Sequence, residues 1–133
     1  MLKVVDSTFL ICLLRNDPLT LSKAEELDGE GGAATTVVNV YEASYGVYRA
    51  MSDPSRRMEA FKRLVTNLEI LDLDYEAAVR AAEISGTLDR EGRGIDPFDS
   101  LIAGITLASG AEALVTRNAS HFDRVPGLKV EEH

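Results

Sequence analysis

Short apolar runs suited to strands alternate with longer stretches of helical spacing along almost the whole chain, and few folds accommodate that alternation. Leu2-Lys3-Val4-Val5 reads as a buried strand ending at Asp6 and Ser7, and Phe9 to Leu14 as a helix closing at Arg15-Asn16-Asp17-Pro18. A second helix is expected over Leu19 to Leu27, ended by Gly29, Gly31 and Gly32. Ala34-Thr35-Thr36 is a small strand candidate, and Asn39 opens a segment to Met51 with apolar residues at Val40, Ala43, Val47 and Ala50. Asp53-Pro54 starts a further helix to about Asn67, Leu68 to Leu73 is β-prone, and Tyr75 to Leu88 is alanine-rich and helical. After the polar loop Arg90 to Gly94, Pro97 begins a helix to about Ala108. Ala113 to Thr116 and Leu128 to Val130 are the closing strands. This order predicts a three-layer α/β fold on a mainly parallel sheet, as one domain over residues 1–133. In such sheets ligands meet the carboxyl ends of the strands where strand order reverses, which singles out the polar residues there.

Charge narrows the function. A net charge of −8 is wrong for a protein that only lies in a nucleic-acid groove, since such binders neutralise phosphates with basic surface. It is compatible with an enzyme whose clustered carboxylates hold a divalent cation. The single cysteine, Cys12, excludes a disulfide framework and a cysteine zinc site within one chain, and its apolar surroundings predict packing as a small hydrophobe. No apolar run approaches the roughly 20 residues that cross a bilayer, and no signal-peptide pattern opens the sequence, so a soluble cytoplasmic protein is expected.

Each candidate acid has a plain structural role to weigh against a chemical one. Asp6 follows the first strand and precedes a helix, so it suits both a ligand and an N-cap. Glu42 falls three residues after Asn39, at capping-box spacing, while Ala43, Ser44 and Gly46 are small enough to leave it open to a cleft. Asp96-Pro97-Phe98-Asp99 contains two acids where a cap needs one, and Ser100 and Gly104 leave little bulk above Asp99. Thr116-Arg117-Asn118 lies at another strand end: Thr116 and Asn118 are suited to positioning a metal-bound water and Arg117 to meeting a phosphate. His121 and Phe122 are expected to tuck the following loop against the body. Three carboxylates gathered at one edge cannot all ionise without compensation, and Mg²⁺ or Mn²⁺ supplies it.

These residues stand in segments that resemble the PIN-domain family, its VapC toxins in particular. The matching pieces are Val4-Val5-Asp6-Ser7-Thr8, Val40-Tyr41-Glu42-Ala43, Gly94 to Ala103, and Leu114 to Asn118 with His121-Phe122 and Val125-Pro126-Gly127-Leu128. They occur in the family's order and span nearly the whole chain. The resemblance implies a three-layer α/β/α domain with about five parallel strands and Mg²⁺- or Mn²⁺-dependent cleavage of RNA. It assigns Asp6, Glu42 and Asp99 to the metal, and places Thr116 and Asn118 near the site. It implies, too, a homodimer and a cognate VapB-type antitoxin that occupies the cleft. Asn118 departs from four-acid PIN nucleases, since an amide brings no negative charge. Asp96, one turn before Asp99, is the candidate to compensate, and Asp123 a lesser one. Arg117, Arg93 and Arg90 are candidates to hold the RNA backbone, and Arg56, Arg57, Lys62 and Arg63 form the densest basic cluster, suited to guiding RNA or simply to a solvated helix face.

Three other readings differ by test. A catalytically inactive PIN-like binding module need not bind Mg²⁺. A PIN nuclease acting on DNA, or in RNA processing outside a toxin–antitoxin pair, differs in substrate. A phosphoacceptor receiver domain would use Asp72 or Asp74 and accept phosphate from a small phosphodonor, but Val37 to Asn67 reads as two helices and Lys129 lies inside a strand pattern.

Overall fold

The computed structural model describes residues 2–133. Five strands form one parallel sheet: β1 (Lys3–Val5), β2 (Ala33–Thr36), β3 (Glu69–Leu71), β4 (Ala113–Val115) and β5 (Val130–Glu131). Their spatial order is β3-β2-β1-β4-β5. The chain thus builds outward from β1 to β3 on one side, then returns to build β4 and β5 on the other. The reversal lies between β1 and β4, and their carboxyl ends flank the crevice where such sheets bind ligands.

Period-two alternation divides the core into two layers. Val4 and Leu114 face one side with Ala34, Ala77, Leu88, Ile102 and Phe122; Val5 and Val115 face the other with Phe9, Leu10, Leu27, Ala43 and Phe61. The second layer is covered by α1 (Ser7–Leu14), α2 (Pro18–Gly29), α3 (Val37–Ala50) and α4 (Pro54–Val65). The first is covered by α5 (Tyr75–Arg90) and α6 (Pro97–Ser109), with the short α7 (Ala119–Phe122) at its margin. The three-layer α/β/α expectation therefore holds.

Differences from the sequence reading are local. α3 begins at Val37, not at Asn39: the Thr36 hydroxyl accepts from the Asn39 amide N–H (3.0 Å) and donates to the Asn39 side-chain oxygen (2.7 Å). Thr36 is thus the cap, and Asn39 the reciprocal partner three residues on. Glu42 consequently lies in the second turn and is released from any capping role. Gly104 does not open the site, either. A Cβ there would stand 2.7 Å from the Ala77 carbonyl oxygen and 2.8 Å from the Ala81 Cβ, so this glycine lets α6 press directly against α5. Ala43 is core, and Gly46 faces Ile11 of α1. Residues Ala119–Phe122, read as loop, form one helical turn with Phe122 buried.

Candidate active site

Asp6 leaves the end of β1 almost fully buried, at 2% exposure. Its Oδ1 caps α1 by accepting from the Phe9 amide (3.1 Å) and the Thr8 hydroxyl (2.6 Å), while Oδ2 accepts from the Thr116 hydroxyl at the end of β4 (2.5 Å). Cap and candidate site residue are thus one carboxylate. Burial pushes its pKa upward, against the opposing pull of the Thr116 and Thr8 hydrogen bonds. Thr116 spans the switch point, and its hydroxyl also accepts from the Asn118 amide N–H (2.9 Å).

Glu42 projects from α3 toward the same edge, its Oε1 accepting from the Ser7 hydroxyl at 2.9 Å. Asp99 comes from the first turn of α6, with Oδ2 3.4 Å from His121 Nδ1 of α7. Both carboxyls are raised, first by burial; the charges of Asp99 and Asp6 add to the effect on Glu42, and those of Asp96 and Asp6 to that on Asp99. Ser7 and His121 respectively oppose these shifts. Three acids remote in sequence therefore share one electrostatic neighbourhood. Among the described residues, no lysine or arginine forms an ion pair with any of them.

The fit of this centre to a divalent cation follows from its donors. Among the described residues no three His, Cys, Asp or Glu side chains are already drawn around a point that would hold a metal. Glu42 instead meets Ser7 and Asp99 meets His121, each with a partner other than its fellow acids. The hard oxygens, the upward pKa shifts and the lack, among the described residues, of a lysine or arginine partner suit Mg²⁺ or Mn²⁺.

The remaining candidates separate. Asp96 caps α6 by accepting from the Phe98 amide (2.8 Å) and acts on Asp99 and Glu42 through its charge. Asn118 precedes α7 with its side chain exposed and making no cap bond. Arg117 is tied down: its guanidinium meets Asp17 at 2.7 Å, donates to the His133 carbonyl at 3.2 Å, and reaches Thr20. Arg93 is exposed, its one ion pair being with Glu91 (3.5 Å). Asp123 is exposed at the end of α7. Cys12 is a half-buried free thiol on the wall of a 370 Å³ cleft shared with Ser7, Thr8, Ile11, Glu42 and Arg117. Sequence reading missed the contacts of Ser7 and His121 with the acids. Ser7 adjoins Asp6 and was within reach of inspection, whereas nothing in the spacing of His121 ties it to Asp99.

The family profile described as PIN domain matches residues 3–128. The chain belongs to the PIN-domain family. Within it, this PIN domain falls among the VapC nucleases: it is 32% identical over 129 residues to the tRNA(fMet)-specific endonuclease VapC of Shigella flexneri, covering 97% of this chain and 96% of that one. The PIN domain superposes with a TM-score of 0.87 on the DNA-bound VapBC structure from Salmonella typhimurium, at 28% identity, covering 99% of this chain and 98% of that one. VapBC2 from Rickettsia felis, solved with a fragment of its promoter DNA, gives 0.90 at 23% identity, covering 100% and 99%, and supports the fold alone. No described helix of the PIN domain is long and apolar enough to cross a membrane.

Proposed function

We propose that this chain is an endoribonuclease that hydrolyses RNA phosphodiester bonds with Mg²⁺ or Mn²⁺, acting as the toxin of a VapBC pair and restrained by a VapB-type antitoxin. The observation that carries the reading is the uncompensated carboxylate group at the β1/β4 switch point, Asp6, Glu42 and Asp99, each raised in pKa and without a basic partner save His121 on Asp99. The printed substrate of the Shigella flexneri relative makes tRNA the first RNA to try. The Salmonella typhimurium VapBC structure makes a VapB-type protein the partner to seek, and the family resemblance adds a homodimer.

In this reading Asp6, Glu42 and Asp99 hold the cation, with Asp96 adding negative charge from one turn away. The bound ion supplies Lewis acidity, an activated water and charge neutralisation at the phosphodiester. The protein's part is positioning. Thr116, Thr8 and the Phe9 amide fix both oxygens of Asp6, so its orientation needs no reorganisation on binding. Ser7 holds Glu42 and His121 restrains Asp99 until the substrate complex forms. Asn118 offers an amide oxygen to orient water without adding charge. Arg117 reaches a phosphate only after leaving Asp17.

The test is cleavage of an RNA panel that includes tRNA, with Mg²⁺, Mn²⁺ or EDTA, by wild type, Asp6→Asn and Asp99→Asn. Metal-dependent cleavage lost in both variants is expected. Cleavage that survives in both, or in EDTA, overturns the reading.

A further inference from the structure

Away from the acids, the carboxyl end of α1 and the start of α4 enclose a cleft of about 540 Å³ lined by Arg56, Arg57 and Arg63 over a floor that includes Leu13, Leu14 and Leu64. A second hollow of about 390 Å³ adjoins it, sharing Leu14, Asn16, Ser52 and Arg57 and adding Arg15 and Met51. None of these four arginines forms an ion pair within the described residues. Asp53 lies on the wall but takes no guanidinium as an ion-pair partner. In a chain of net charge −8, four unpaired arginines at one place are a local reversal of sign. Two of the positions that shape the cleft, Asn16 and Asp53, hold left-handed backbone (φ 58 and 51), a conformation that non-glycine residues adopt at a cost.

The cleft also has a direction. α1 and α3 pack side by side, and hollows lie near both ends of α1. One hollow holds Ser7, Thr8, Ile11, Cys12 and Glu42, and the next holds Leu14 and Arg15 with Met51 and Ser52 just past the end of α3. From Asp6 to Asn16 is roughly 15 Å by helical rise, a few nucleotides of single strand. Guanidinium groups match phosphate oxygens in pairs and are less strongly hydrated than ammonium, so arginine suits repeated backbone contacts without reading bases.

We infer that the Arg15–Arg56–Arg57–Arg63 cleft is a phosphate-binding subsite that grips the backbone of single-stranded RNA a few nucleotides from the carboxylate centre. The inference rests on the ribonuclease reading for its substrate. It would account for how a strongly acidic protein holds a polyanion, with attraction concentrated at the carboxyl end of α1 and repulsion at its start. An acidic peptide of the antitoxin is the competing occupant. The strand is favoured because one helix, α1, carries the Ser7–Glu42 hollow near its start and the arginine cleft at its end, so a single extended polyanion can meet both.

The experiment compares wild type, Arg57→Gln/Arg63→Gln and a control with the same charge change elsewhere, Arg80→Gln/Lys129→Gln. Each binds a fluorescein-labelled single-stranded RNA in EDTA, read by anisotropy across a salt series, so the result does not depend on cleavage. The cleft variant is expected to bind about tenfold more weakly at moderate salt, with the slope of log K against log salt reduced by about 1.4 for two lost contacts. The control should follow wild type. Equal weakening in both variants, or none in either, overturns the subsite, as does weakened capture of the antitoxin by a cleft variant whose RNA binding is intact. Failure of the ribonuclease reading would instead appear as wild-type protein that binds RNA but never cuts it with Mg²⁺ or Mn²⁺.

Discussion

Strand β1 carries a charge near each end, and the two are treated in opposite ways. At its start, Lys3 is buried yet meets Glu30 at 2.8 Å and Glu131 at 3.0 Å, and Lys23 extends the network to Glu26 and Glu131. Its pKa is raised, chiefly by the hydrogen bonds to Glu30 and Glu131. Burial would raise Glu131, but Lys3 and Lys23 outweigh it and the net shift is downward. Past the other end, Asp6 has neutral hydroxyls and an amide for company, and the nearby acids deepen the imbalance. In the first cluster each carboxylate has a lysine within ion-pair distance, although two lysines face three glutamates and the buried Glu131 Oε2 accepts no hydrogen bond. The second has no lysine or arginine partner among the described residues, and the proposed cation would answer that imbalance.

The widest separation of the two ends should come from Asp6→Asn and Lys3→Met. The first is expected to lower RNA cleavage by at least about 10²-fold while leaving the melting temperature of the metal-free protein equal or higher. The second is expected to keep turnover per folded molecule but to lose more melting temperature than Asp6→Asn, Asp99→Asn or Thr116→Val, because Glu30 loses its ammonium and Glu131 keeps only the longer pair with Lys23. A parallel activity and thermal-melting series checks both; an Asp6→Asn protein that is active, or a Lys3→Met protein as stable as wild type, breaks the comparison.

Metal addition comes next in size. Mg²⁺ at about 100 times its dissociation constant should stabilise wild type by about 2.7 kcal/mol and Asp99→Asn much less, as read by thermal shift. Lys3→Met should respond to Mg²⁺ as wild type does. Thr116→Val probes positioning: losing one charge-assisted hydrogen bond to Asp6 should cost about 1.5–3 kcal/mol, seen as roughly tenfold or greater loss of cleavage in steady-state kinetics.

The smallest effect is on pH dependence. Asp6, Glu42 and Asp99 have folded-state pKa values above the ordinary 3.8 (Asp) and 4.5 (Glu), so the unfolded chain releases these protons first. Metal-free stability should therefore fall at these sites as pH rises from about 4 toward neutrality, and less steeply in Asp99→Asn. The Lys3 contribution has the opposite range. It is fully present below the ordinary lysine value of 10.5 and is lost only in strong alkali, while that of Glu131 is lost as pH falls below its ordinary 4.5. Denaturant titrations without metal at pH 4, 5.5 and 7 would read the difference.

Much of this was legible in the sequence because it rests on local patterns. Val4-Val5 and Leu114-Val115 announce strands buried on both faces, and Asp96-Pro97 announces a helix start. The sequence marks Asp6 and Thr116 as polar residues at the ends of strands, and the strand order then sets those two ends side by side. The cap of α3 was misplaced because Asn39 and Thr36 both have the chemistry of a cap, and only burial of both decides which hydroxyl or amide faces the helix. The partners of the acids were less legible still. Thr116 and Asp6 are 110 positions apart in the chain, and His121 meets Asp99 only because α7 forms a turn that four residues of loop-like composition do not advertise. Arg117 looked free in a polar turn, and its engagement with Asp17 depends on how α2 packs.

The contact of Gly104 with α5 makes a residue five positions from Asp99 the spacer that sets where α6 lies. Any side chain at 104 must lift α6 away from Ala77 and Ala81, at a cost of about 1–3 kcal/mol, and the start of that helix moves with it. Alanine there should thus depress cleavage beyond what its loss of stability explains, measured as kcat per folded molecule. In the proposed reaction, the reach of an acid would then be set partly by a single hydrogen atom pressed between two helices.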